Sequence, residues 1–549
     1  MYSFTRLRGR LSISLLNQGP LCQFTFLNPA ALCGLVALIS TTALLGSFSI
    51  GVSAANADEY EIGFSTFLGG GDWEHARDVC VDESGNVFIV GGTQSTDFPT
   101  TEGAFQRQHD RSGKQVGSGG HCDAFISKFD PQGRVIWSSL LGGPNYDRAY
   151  AVEVDSKGYV YVSGRAGPGF PVTDDAFQSE FQGTDNGIYG LQNGFVAKLN
   201  PDGSAIEWAG YVGVGQLCRD LSLDADSNIY LALHYTAKGP LPPKSWFANA
   251  YQPSPAGDVE IGAVKIASDG RRVHWATWLG GSGPEVPNCG IRTDSDRNVY
   301  LNFTTRSDDV PTTDQAHDRT YNGQGDAFVA KLSPDGSKLL FGTYFGGSGI
   351  EEGNSTHNMN LDSMGNAYLA TWTNSNDLPV TKGAFQTQLA GGANDVAIAK
   401  FSTQTGSLLS CTLVGGSGDE EPDGIEVHPS GDVLFAGKTS SDDYPRPQTA
   451  IQSQRSSQHD TILTVLSADF SRLQFSSYFG GPSYDYGRAC CLDPRGNLYL
   501  TGSTNGPGWP LRNAAQPHFA GGGGGKELCY EGGCYAGDVV LMKLQKHPE

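Results

Sequence analysis

The sequence predicts an all-β fold: a seven-bladed β-propeller of four-stranded antiparallel blades. Its ring is closed by an N-terminal strand that completes the last blade. Three observations predict it. A turn written LGG, FGG or VGG, and once VGV, recurs at Gly69, Gly142, Gly213, Gly280, Gly346, Gly415 and Gly480, a period of about 70 residues. Each interval carries four short β-rich runs separated by turn residues. The last interval has only three runs, and one unmatched run stands before the first Gly-Gly pair.

Taken in chain order, residues 1–57 differ from the rest. Arg6, Arg8 and Arg10 are the only charges before Asp58, and the apolar run "AALCGLVALISTTALLGSFSIGV" and the small-residue ending "SAANA" follow. That order of a basic lead, an apolar stretch and a small-x-small site predicts a signal peptide cleaved after Ala57. The run is also long enough to span a bilayer, so a retained N-terminal membrane anchor is the alternative. Either reading predicts export, to the medium, the cell surface or the periplasm. Residues 58–549 are then one propeller domain.

Within that domain the first run of each unit alternates and ends mostly in Asp, as in "DVCVD" and "AVEVD". The second follows a tight turn, as in "ESGNVFIVGG". The turn Asp (Asp82, Asp155, Asp224, Asp294, Asp362 and Asp493) can bond backbone amides two residues on. The third run opens on Asp123, Asn193, Glu260, Asp326, Asp395, Asp460 or Asp538. A lysine stands five residues on in six units: Lys128, Lys198, Lys265, Lys331, Lys400 and Lys543. The odd spacing places acid and lysine on opposite faces of the strand, each facing a different neighbour. The fourth run begins with an aromatic (Phe64, Trp137, Trp208, Trp275, Phe341 or Phe475) that fits packing between blades.

The chain stops at "AGDVVLMKLQKHPE", a third run without a fourth. The missing partner is the unmatched run "EIGFSTFLGG". Residues 62–68 are predicted to pair with 539–544 and leave no open sheet edge.

The repeat resembles the bacterial SBBP seven-bladed β-propeller family. The likeness is carried by "FSSYFGGPSYDYGRACCLDPRGNLYLTGSTN" (475–505), "NDLPVTKGAFQTQLAGGANDVAIAKF" (376–401) and "GDAFVAKLSPDGSKLLFGTYFGGSG" (325–349). It spans residues 59–544. Unit 3 departs from it in "YVGVGQLCRDLSLDADSN", and unit 6 has Val465 in place of the third-strand lysine. The resemblance implies a fold and an exported location. It implies no reaction, because the pattern consists of blade-building residues.

Net charge is −21, and the body of the chain beyond the three leader arginines carries 34 basic against 58 acidic residues, or −24. That argues against nucleic acid as a partner and leaves membrane contact only through a retained anchor. A monomer is expected. The long inserts between second and third runs fall in unit 1 ("RQHDRSGKQVGSGGHCD"), unit 2 ("QGTDNGIYGLQNG") and unit 7 ("FAGGGGGKELCYEGGCYAGD"). Ring closure makes those units adjacent, so the inserts gather on one face. The same face carries the acids that follow the Gly-Gly turns: Asp72, Glu74, Asp147, Glu285, Glu351, Glu352, Asp419, Glu420, Glu421 and Asp485. These read as an acidic rim round the channel mouth, either merely solvated or holding calcium.

Arg77, Arg219 and Arg488 share one register, five before the turn Asp, and are expected to pair with the acidic loops. Cys529 and Cys534 flank a Gly-rich turn and read as a local disulfide. Cys80, Cys490 and Cys491 fall on the innermost strands of units 1 and 7, where a second disulfide could cross the closure. His109, His121, His357 and His459 are scattered, and no catalytic set assembles from spacing. The functional expectation is a non-enzymatic binding or scaffold protein for an envelope or extracellular protein or glycan. The alternative is an extracytoplasmic enzyme acting on a polysaccharide or small metabolite at the channel mouth.

Overall fold

In the computed structural model seven four-stranded antiparallel sheets are arranged around one axis. The model describes residues 60–213, 217–236, 241–353, 356–521, 529–530, 533–534 and 537–546. The leader segment, 1–57, lies outside them. No helix among the described residues is long and apolar enough to cross a membrane.

The first strand of each blade contacts the first strand of the next, all the way round to blade 1. These strands wall the central channel. The second and third strands are covered on both faces by neighbouring blades, so they read as near-continuous apolar runs. Asp460–Leu466, for example, is buried at every position.

Blade 7 is assembled from both ends of the chain. Its strands run Asp485–Leu492, Leu498–Thr504, Asp538–Lys546 and, outermost, Tyr60–Leu68. Ile62 lies opposite Leu544 and Leu68 opposite Val539. Phe64, Phe67 and Leu68 are buried there, which is worth about 1.5–3 kcal/mol for each side chain.

The fourth-strand aromatics pack between blades as expected. A Cβ on Gly203 would fall 2.5 Å from the Trp137 ring, and one on Gly270 would fall 2.2 Å from Trp208. Gly133 of blade 1 makes the same approach to Phe64, at 2.5 Å, so the chain-closing strand also supplies the blade 7 to blade 1 contact. The Trp137 indole donates to Pro201 O at 3.1 Å.

The turn aspartates act as the sequence predicts. Asp82 Oδ1 accepts from the amides of Ser84 and Asn86 at 2.9 and 2.8 Å. The third-strand lysines reach these same turns: Lys265 to Asp224 at 3.2 Å, Lys331 to Asp294 at 3.3 Å, and Lys400 to Asp362 at 3.2 Å.

Cys80, Cys490 and Cys491 are free thiols, so no disulfide crosses the closure in this structure. Cys529 lies directly opposite Cys534 in a two-stranded ladder. Their side chains lie outside the described residues.

Candidate functional site

The ten acids of the expected rim fall into two groups. Glu74, Asp147, Glu285, Glu351, Glu420 and Asp485 are all fully buried. Each accepts from the amide of the second glycine of the preceding turn: Gly70 to Glu74 at 3.1 Å, Gly143 to Asp147 at 2.7 Å, and Gly416 to Glu420 at 2.9 Å. Four of them also accept from a threonine ending the second strand, as Thr93 to Glu74 at 2.5 Å and Thr373 to Glu351 at 2.6 Å. These six therefore brace the joints between blades rather than line a solvated rim. Asp72, Glu352, Asp419 and Glu421 keep solvent exposure. Among the described residues no three His, Cys, Asp or Glu side chains are grouped to hold a metal ion.

Each buried acid faces the residue opening a third strand of the neighbouring blade. A Cβ on Gly69 would fall 2.5 Å from Asp538 Oδ1 and 2.6 Å from Glu74 Oε2. The first glycine of the repeat is thus required by two carboxyl groups that crowd its α-carbon. Burial pushes Glu74 up to about 8, Asp485 to about 8, and Asp147, Glu285 and Glu420 to about 7. The blade 2 to blade 3 joint carries Asn193 instead, whose amide donates to Val212 O at 3.0 Å.

The channel itself holds the chemistry. The first strands of five blades each carry a bulge, and the extra residue is Arg77, Tyr150, Arg219, Asp423 or Arg488. A bulge re-aims a side chain. Here it turns one residue per blade toward the axis, five before the turn position. Cys289 and His357 occupy the same place in blades 4 and 5.

Above this layer a cavity of about 290 Å³ opens, with Arg77, Arg148, Arg165, Arg219 and Arg488 in its lining. Tyr150 stands at their centre. The guanidinium carbons of Arg77, Arg148, Arg165 and Arg219 lie 4.8, 5.0, 5.4 and 5.1 Å from its ring centroid. Burial opposes ionisation of this phenol, but the four cations outweigh it and bring it down to about 6. Beside it, burial and then Arg77, Arg488 and Arg148 hold His75 well below the usual imidazole range.

Among the described residues neither Arg165 nor Arg219 pairs with a carboxylate, and the Tyr150 phenol is the acidic group that faces both. Arg165 is 4% exposed and Arg219 is 8% exposed. Arg165 Nε and Nη1 and Arg219 Nε are buried and bond to nothing among the described residues. Arg488, by contrast, pairs with Asp423 at 3.1 Å. The expected pairing of the register arginines with the acidic loops is thus replaced, for Arg488, by a partner within the same channel layer. Arg219 stands over an aromatic ring.

The inserts of blades 1 and 2 meet beside this cavity, where the Gly119 amide donates to Ile188 O at 2.6 Å. Gly119 and Tyr189 form part of its wall, and the Arg165 guanidinium lies 4.2 Å from the Tyr189 ring centroid. Residues 522–528 of the blade 7 insert lie outside the described residues.

Arg148, Arg165 and Tyr150 were not singled out by the sequence reading. Tyr150 shares the register of Arg77, Arg219 and Arg488 and could have been found by aligning all seven units at that position. Arg165 stands next to last in its second strand, where only blade 6 repeats a cation, Lys438, which lines the same cavity.

Fold and site together define a seven-bladed propeller with a cationic pocket at one mouth of its channel. The chain carries the SBBP β-propeller repeat, whose family model matches residues 136–170 and 474–508. No curated protein matches. Among solved structures it resembles a protein of unknown function from Dyadobacter fermentans (9% identity, TM-score 0.39, 89% of this chain and 100% of that one). It also resembles quinohemoprotein alcohol dehydrogenase from Comamonas testosteroni (10%, 0.40, 91% and 79%) and the polysaccharide lyase Uly1 (8%, 0.41, 89% and 98%). Likenesses this distant carry no information about what this chain binds.

Proposed function

We propose that this protein is an exported binding protein that receives an anionic ligand, a small molecule or the acidic group of an envelope or extracellular glycan, in the arginine-lined mouth of its channel. One observation carries the reading: Arg165 and Arg219 hold buried guanidinium nitrogens with no partner among the described residues. Folding has placed these cations where water is scarce and left their donors open. An oxyanion supplies what they lack, since guanidinium forks match carboxylate and phosphate geometry. The chain as a whole is strongly negative, so five arginines in one pocket run against its net charge.

The test is a thermal-shift and calorimetric screen of the chain against acetate, inorganic phosphate, glucuronate and calcium. At least one anion should raise the melting temperature, and Arg165→Gln should weaken its binding at least tenfold, about 1.4 kcal/mol. Arg165→Gln removes like-charge repulsion, so it is expected to fold at least as stably as the parent. Failure of every anion to bind overturns the reading. Calcium tests the exposed acids Asp72, Glu352, Asp419 and Glu421 separately.

A further inference from the structure

Three features restrict the ligand further; the step rests on the anion-binding reading above. First, the pocket is blind. His357 reaches from blade 5 across the channel, 3.5 Å from Asp78 in blade 1 and 3.4 Å from Asp220 in blade 3. Its Nε2 lies 3.2 Å from Tyr150 O in blade 2. Arg292 ties the same plug to blade 4 through Asp220, at 2.7 Å. A ligand therefore enters by one end and does not thread through.

Second, charge is divided around the wall: Arg148, opposite Arg165 in blade 2, holds the same strand position as Glu421, opposite Lys438 in blade 6, and Glu352 and Asn288 also line the cavity. Glu421 pairs with Lys438 at 2.9 Å and Glu352 with Arg306 at 3.3 Å, so this side of the pocket is near neutral and rich in hydrogen-bond acceptors. A polyanion would meet carboxylates there. A body carrying hydroxyl groups would meet acceptors.

Third, the opposite wall is aromatic. Tyr146 and Tyr189 lie 4.7 Å apart by ring centroids, and Trp73 lines the cavity with them. Trp73 and Tyr146 on one wall and hydroxyl acceptors on the other suit a pyranose ring, which has C–H faces and hydroxyl edges.

We propose that the ligand is a sugar acid: one carboxylate on a compact, hydroxylated body, held with the carboxylate against Arg165 and Arg219. It is either a free acid or the acidic end of a polysaccharide, because the plug leaves no exit for a chain running along the channel.

Calorimetry on the whole chain tests this with D-glucuronate, D-glucose, acetate, inorganic phosphate and two oligosaccharides. One oligosaccharide ends in glucuronate, and the other carries glucuronate only internally. Glucuronate should bind at least tenfold more tightly than glucose, acetate and phosphate, and Arg165→Gln should abolish that preference over glucose. The glucuronate-ended oligosaccharide should bind and the internal one should not; binding by the free acid alone would assign the pocket to small acids rather than chain ends. Phosphate or acetate matching glucuronate overturns the sugar-acid assignment while leaving the anion site standing. Equal binding of the internal oligosaccharide overturns end-on entry. No binding by any anion removes both this inference and the reading beneath it.

Discussion

Arg148 Nη2 donates to Tyr150 Oη at 2.9 Å, and three further guanidinium groups face the same ring. The tyrosine is the nearest thing these cations have to a counter-ion. Brought down to about 6 from an ordinary 10.0, its phenol is ionised at neutral pH. An ultraviolet titration should show one tyrosine ionising near pH 6, and Tyr150→Phe should remove that step. The phenolate lies on the pocket floor, so anion affinity should fall as pH rises through 6 and become flat in the variant. A titration with no ionisation below pH 9 would show that the arginines do not set its state.

The buried acids act on stability in the opposite sense to the usual carboxylate. Glu74, Asp485 and Glu420 are raised by burial, so the folded chain holds protons that the unfolded chain has lost above about pH 4–5. Stability from these groups is fully present below that value and is lost as pH rises toward 7–8. Tyr150, whose value is depressed, opposes this only above pH 6. The melting temperature should therefore fall between pH 5 and pH 8, and Glu420→Gln should reduce that slope. A melting temperature that climbs across this range contradicts the assignment.

Closure makes the first strand a structural necessity. Removing residues 59–70 exposes the edge of Asp538–Lys546 and uncovers Val539, Val540 and Leu541. The truncated chain should unfold earlier and less cooperatively. Phe64→Ala alone should cost about 3–5 kcal/mol, read by denaturant unfolding. A truncation that melts like the parent would mean the ring holds without this strand.

Gly69 and Gly71 stand two residues apart with opposite demands. Alanine at 69 collides with Asp538 and Glu74, whereas at 71 the nearest atom, Asp97 Oδ2, is 3.5 Å away. Gly69→Ala should destabilise by about 1–3 kcal/mol and Gly71→Ala by less than about 0.5 kcal/mol. Equal effects would mean that the carboxyl pair yields easily.

The ladder that sets Cys529 against Cys534 invites a direct assay. Peptide mapping without reductant should recover both cysteines in one linked fragment. Recovery as two alkylated thiols would rule out the disulfide expected from sequence.

The repeat was legible because it obeys local rules. A turn aspartate recurs in six of the seven blades, a glycine within that turn in five, and a β-rich apolar run follows in all seven, whatever surrounds them. Even the closure followed from counting strands, since the unmatched "EIGFSTFLGG" had one unfilled place to go. The acids after the Gly-Gly turns were legible as a set and not as an environment. Whether Glu420 faces water or Thr439 depends on how closely the next blade packs.

The sequence by itself determined the architecture: seven blades, four strands in each, and a seam joining the two ends. It did so because hydrogen-bonded turns and alternating burial are properties of neighbouring residues. Only the tertiary structure decided the site. Arg77, Arg148, Arg165 and Arg219 come from three blades and lie as many as 142 residues apart, yet share one tyrosine ring. Ring closure and five strand bulges bring them together, and a charge cluster built across an axis leaves no mark in local spacing.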